Sequence, residues 1–157
     1  MVTINSTEDE ELEKQIQKML DKANLHGKNV INRIREMTKR EPGFFLKRTT
    51  KGFHVCVGLR NDEIKLVQVW VDLNQPKKQV IETRRQDLPD YVYFNKEEDN
   101  EIYNIFQNAQ FIPINGEYKN FTLDFEKSSG DESKILNDID KAIVDWADAI
   151  RKMANRT

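Results

Sequence analysis

Apolar residues recur along this chain at two different periods, and the change of period marks out its elements. Leu12, Ile16, Met19, Leu20 and Ala23 repeat at helical spacing. Ser6 and Thr7 stand ahead of acids three residues on, Asp9 and Glu10, which suits a capped first turn. Gly27 reads as the stop of that helix. A second helix follows, with Val30, Ile31, Ile34 and Met37 on one face and Lys28, Arg33, Arg35, Lys39 and Arg40 on the other; Glu41-Pro42-Gly43 ends it.

The period then drops to two. GFFLKRTTKGFHVCVGLR, residues 43–60, predicts a hairpin turning at Thr50-Lys51-Gly52-Phe53, with Gly52 free to take positive φ. In its second strand Phe53, Val55, Val57 and Leu59 share one face; His54, Cys56, Gly58 and Arg60 share the other. Asn61-Asp62 predicts a turn. EIKLVQVWVDL, 63–73, is apolar on both faces and predicts a central strand, broken by Asn74-Gln75-Pro76. KQVIETRR, 78–85, predicts a fourth strand and DYVYF, 90–94, a short fifth.

Asn95 with Glu98 predicts the capped start of a helix carrying Ile102, Ile105, Phe106 and Ala109. QFIPINGE reads as loop, and YKNFTLDFE, 118–126, alternates as a strand. From about 132 to 154 a last helix carries one apolar stripe of Ile135, Ile139, Ala142, Ile143, Trp146, Ile150 and Met153. The resulting order predicts an α+β class: an N-terminal helical pair, a mainly antiparallel meander of four to six strands, and the C-terminal amphipathic helix packed on the sheet. A length of 157 residues suits one domain, with residues 28–157 as its core and residues 1–27 either packed on it or standing as an arm for dimerisation.

Composition changes this picture through charge. The net formal charge is −2, but residues 1–27 carry −3, residues 28–85 carry +8 and residues 86–157 carry −7. Such asymmetry points to a polyanionic partner or to charged faces that meet inside the fold. No apolar run is long enough for a membrane span. MVTINSTEDEELEK lacks the basic and apolar regions of a signal peptide, and the single cysteine, Cys56, cannot form an internal disulfide, so a cytoplasmic home is expected. Abundant Lys, Asn and Ile with scarce Ala and Gly match the usage of an AT-rich bacterial or phage gene.

Several chemistries find no support. His26, His54 and Cys56 lack the paired spacing of a soft-metal site, and no phosphate-cradling glycine motif is present. His54 and Cys56 lie two apart on a strand, roughly 7 Å along it, which is long for a nucleophile–base hydrogen bond. Glu63-Ile64-Lys65 fits a short piece of a metal-dependent nuclease, but the preceding strand supplies no acid. No catalytic residue, metal or cofactor is therefore assigned. The expectation is a small binding protein whose basic β-meander meets an anionic partner, nucleic acid or nucleotide, through Arg48, Lys51, His54, Arg60, Arg84 and Arg85, with Lys77 and Lys78 on the same sheet. The first alternative is an inhibitor- or immunity-type protein module using the acidic surface of the C-terminal helices, where Asp138/Lys141 and Asp148/Arg151/Lys152 would pair locally; the second is a divergent metal-dependent nuclease using Glu63 and Lys65.

Overall fold

A computed structural model of the chain describes residues 3–72, 79–114, 120–125 and 130–155, with side chains from residue 8 onward. Along the chain come α1 (Thr3–Lys22), α2 (Leu25–Arg40), β1 (Phe44–Arg48), β2 (Gly52–Leu59), β3 (Asp62–Val71), β4 (Gln79–Thr83), a 3₁₀ turn (Arg85–Asp87), α3 (Lys96–Gln107), β5 (Ile112–Pro113), β6 (Phe121–Asp124) and α4 (Glu132–Ala154). The strands form one sheet in the order β1-β2-β3-β4-β6-β5, every pair antiparallel, so the fold is α+β and β3 is interior. Lys77, Lys78 and the predicted Asn74-Gln75-Pro76 break lie outside the described residues.

The register sorts the sheet into two faces. Cross-strand rows Val57–Ile64, Leu46–Val55–Val67–Thr83 and Phe53–Val69–Ile81–Leu123 point one way. Their apolar members join the core with Ile16 and Met19 of α1, Ile31 and Ile34 of α2, Phe106 of α3 and Ile143 and Trp146 of α4. Burying these side chains supplies most of the favourable folding free energy, about 1.5–3 kcal/mol for each large residue before entropy is set against it. The stripe predicted for α4 is buried throughout. The opposite rows are Phe45–Cys56–Lys65, Lys47–His54–Gln68–Glu82–Thr122–Ile112 and Gly52–Trp70–Val80–Asp124. That face is mainly polar.

Local chemistry explains most helix ends. Asn95 and Glu98 form a reciprocal capping box at α3, and Asp131 caps α4 by accepting from the Lys134 N–H. At the first helix the outcome differs: α1 already begins at Thr3, upstream of the predicted Ser6–Thr7 start. Gly27 is not a stop either. It lies inside α2, whose N-cap is Asn24. The missing side chain makes room for Gln79, which arrives from β4; a Cβ on residue 27 would lie 2.1 Å from Gln79 Oε1. Fully buried Gln79 is satisfied by Asn24, accepting from its N–H at 3.0 Å and donating to its Oδ1 at 3.1 Å.

Four further expectations are corrected. Gly52 is a strand residue without positive φ; its missing side chain makes room for the Val69 carbonyl oxygen, 1.8 Å from where a Cβ would stand. The β2–β3 turn sits one residue early, at Arg60 and Asn61, both with positive φ (53° and 71°), the pair of left-handed residues that matches hairpin twist. Residues 90–94 form no strand. Their rings cover one end of the sheet instead: Phe94 packs 5.6 Å from Trp146, and the Tyr91 hydroxyl donates to Asp62 at 2.6 Å. The loop expected around Ile112–Pro113 contains β5, a two-residue edge strand too short to show alternation, with proline where an edge tolerates it.

Candidate functional site

The three arginines on the basic face of α2 are paired within the fold. Arg33 Nε lies 2.7 Å from Asp140 of α4, Arg40 lies 3.4 Å from the same carboxylate oxygen, and Arg35 pairs with Glu13 of α1 at 2.8 Å. His26 Nδ1 meets Glu132 at 2.5 Å. Part of the charge asymmetry is therefore an internal handshake between α2 and the acidic helices.

The sheet cations have a different setting. On the mainly polar face a groove of about 510 Å³ runs across β2, β3 and β4 and reaches the β1–β2 turn. The half-buried indole of Trp70 lines it. Glu82 accepts from the indole N–H at 3.2 Å, and Lys51 Nζ stands 5.9 Å from the ring centroid. Arg84 is steadied by Asp87 at 3.1 Å and Gln68 at 3.3 Å. Gln15 of α1 pins the turn by donating to the carbonyls of Thr49 and Thr50 at 2.8 and 3.1 Å. Lys51 and Lys65 make no ion pair among the described residues.

His54 stands on the groove floor, half-buried, and its imidazole makes no hydrogen bond among the described residues. Burial lowers its pKa from the ordinary histidine value, and the positive charges of Lys65, Arg84 and Lys47 push the same way, with Asp87 opposing them. The free protein thus holds a neutral imidazole beside three groove cations, Lys51, Lys65 and Arg84. An anion arriving there would relieve this crowding and favour the protonated form.

Of the six residues singled out from the sequence, Lys51, His54 and Arg84 line this groove. The other three are dispersed. Arg48 pairs with Phe53 in a row of the core-facing side, so it leaves the sheet on the opposite face. Arg60 lies in the β2–β3 turn, its guanidinium 4.4 Å from the Tyr91 ring, and donates to the Ala154 carbonyl at the C-terminus of α4. Arg85 is bound to Asp99 at 2.5 Å and stacks 4.8 Å from the Phe94 ring.

Sequence reasoning did not nominate Lys65, Gln68 or Trp70, and for Lys65 the cause is a β-bulge. The β2–β3 register shifts between Val55 and Cys56: Val55 pairs with Val67, Cys56 with Lys65, and Leu66 is the extra residue. Strict alternation puts Lys65 on the side of Val67 and Val69. The bulge reverses parity, so Lys65 joins Gln68 and Trp70. The bulged carbonyl is not wasted, since Leu66 O accepts from the buried Trp146 indole at 3.0 Å. The double-sided apolar appearance of 63–73 was the available signal.

The remaining candidate chemistry is accounted for by structural contacts. Cys56 is fully buried, and burial pushes its thiol up to about 12, so it is no nucleophile. Glu63 binds Lys47 at 2.7 Å, and among the described residues no three His, Cys, Asp or Glu side chains converge as metal ligands. On α4 the pairs are Lys134–Asp138 and Lys141–Asp145, each at 2.7 Å, and Asp148–Arg151 at 3.5 Å, a different pairing for Asp138 from the one its spacing predicted. Among the described residues no helix is long and apolar enough to cross a membrane. Comparison with known proteins finds no matching family model, no matching curated protein and no matching solved structure.

Proposed function

We propose that this protein binds single-stranded nucleic acid in the groove on the mainly polar sheet face. The carrying observation is the placement of Trp70 among Lys51, Lys65 and Arg84. Single-strand sites combine a ring on which a base stacks with cations that follow the phosphates. Stacking contributes roughly 1–3 kcal/mol per base and tolerates any sequence. The two groove acids are occupied in shaping the site: Asp87 orients Arg84 and Glu82 orients the indole. Recognition of a duplex major groove needs a protruding helix or ribbon; a depression in a sheet suits an unpaired strand.

The test uses tryptophan fluorescence. Trp146 is buried, so quenching by an added oligonucleotide reports Trp70. Three phosphate contacts give a slope of roughly −2 in a plot of log affinity against log salt for a single strand. Lys51→Glu, Lys65→Glu and Arg84→Glu each weaken binding, whereas Arg48→Glu, on the other face, leaves it unchanged. Absence of quenching at low salt, or equal losses for the Arg48 variant, overturns the proposal.

A further inference from the structure

The groove also places two acid–base groups within reach of one another, Glu82 keeping its bond to the indole. His54 and Glu82 stand in one cross-strand row, with Gln68 between them. Their Cα atoms are separated by two inter-strand steps, about 10 Å in all. Both side chains line the same cavity, flanked by Lys65 and Arg84.

The geometry points to metal-independent cleavage of single-stranded RNA, with Glu82 as general base and His54 as general acid on opposite sides of a phosphodiester held over Gln68. This inference rests on the binding reading above and names its substrate class. An in-line transesterification needs one hydrogen bond of roughly 3 Å at each end. Between them lie the attacking oxygen, the phosphorus at about 3–3.5 Å, and the leaving oxygen. Side chains rooted about 10 Å apart and rising from one face of a sheet match that span.

The step balances without a co-reactant. The Glu82 carboxylate takes the proton of the ribose 2′-hydroxyl. The 2′-oxygen bonds to phosphorus, and the bond from phosphorus to the 5′-oxygen breaks. Its electron pair stays on the 5′-oxygen, which receives a proton from the His54 imidazolium. The products are a 2′,3′-cyclic phosphate and a 5′-hydroxyl. Glu82 ends protonated and His54 neutral, and exchange with water restores both. Lys65 and Arg84 face the charge that builds on the equatorial phosphate oxygens, where fixed cations lower the barrier. Lys47, Lys65, Arg84 and Asp87 are the charged groups facing His54. Burial first, and then these three cations, hold its pKa below the ordinary histidine value, so the reaction gains speed as pH falls below neutrality.

The experiment offers a labelled single-stranded RNA, its DNA equivalent and its fully 2′-O-methylated form to the full chain in EDTA. Products are read by mass spectrometry and binding by Trp70 quenching. The expected result is RNA fragments ending in 2′,3′-cyclic phosphate, with the other two strands bound and intact. Glu82→Gln and His54→Asn are each expected to slow cleavage by about 100-fold or more. Both are expected to keep the native fold, read by far-UV circular dichroism; the amide oxygen that Glu82→Gln introduces still accepts from the Trp70 indole, so the 2′-O-methyl strand is bound within a few-fold of the parent affinity. RNA that binds but stays whole overturns the cleavage inference and leaves the binding reading standing. RNA that neither binds nor is cut overturns both. Cleavage undiminished in the two variants assigns the activity to a contaminant and overturns the inference.

Discussion

Arg33 of α2 and Asp140 of α4 are joined by a 2.7 Å bond between Nε and a carboxylate oxygen, and Arg40 approaches the same oxygen at 3.4 Å. The Asp140 side chain is only 10% exposed, while that of Arg33 keeps 28%. Removing one partner from a buried pair strands the other charge, which costs more than the pair contributes when intact. Asp140→Ala is therefore expected to destabilise the fold by about 2–3 kcal/mol, below the fully buried range because solvent still reaches Arg33. Urea unfolding measures it. A double-mutant cycle with Arg33→Met should show strong coupling, and additive losses would refute the pairing.

Two glycines of β2 are expected to behave in opposite ways. A Cβ at Gly52 would meet the Val69 carbonyl oxygen at 1.8 Å, and backbone cannot step aside cheaply. Gly52→Ala is expected to cost on the order of 3 kcal/mol, at the upper end of ordinary overpacking. At Gly58 nothing lies within 4 Å and φ is not in the left-handed region. Gly58→Ala is expected to raise stability by about 0.5 kcal/mol, chiefly by restricting the unfolded chain. Thermal melts of the two variants decide this.

Acid stability should carry the mark of His54. Its pKa is lowered in the folded protein, first by burial and then by Lys65 and Arg84. Below the unfolded histidine pKa, about 6.5, the unfolded chain therefore binds more protons, so stability falls as pH drops from there through the lower folded value. His54→Gln should flatten the stability–pH curve in that window and leave it unchanged at pH 8. An unaltered acid limb would refute the crowding of the imidazole.

Cys56 provides a reporter of opening. With its thiol fully buried and raised to about 12, it is protonated at pH 8 and shielded from reagents. Its reaction with an aromatic disulfide reagent at pH 8 should follow the unfolding equilibrium across a urea series. Fast labelling of the native protein would contradict the burial.

What the sequence could disclose follows from the range of the forces involved. Helix periodicity, the Asn95–Glu98 box and the stripe from Ile135 to Met153 concern neighbours within a few residues, and the structure has them where the pattern puts them. Lys51, His54 and Arg84 could be nominated because each lies on a strand or turn of one basic segment. The destinations of Arg60 and Arg85 could not, since Tyr91, Ala154, Phe94 and Asp99 reach them only after the sheet and helices have packed.

The chain itself therefore determined the α+β class, the amphipathic faces and the uneven spread of charge. Tertiary structure alone decided which cations are cancelled and which share a groove. One extra residue at Leu66 turns Lys65 toward Trp70, and Asp140 draws Arg33 and Arg40 away into the helical layer. The physical reason is that side-chain direction in a sheet depends on the parity of backbone pairing. A single bulge inverts that parity, and only the partner strand decides where the bulge falls.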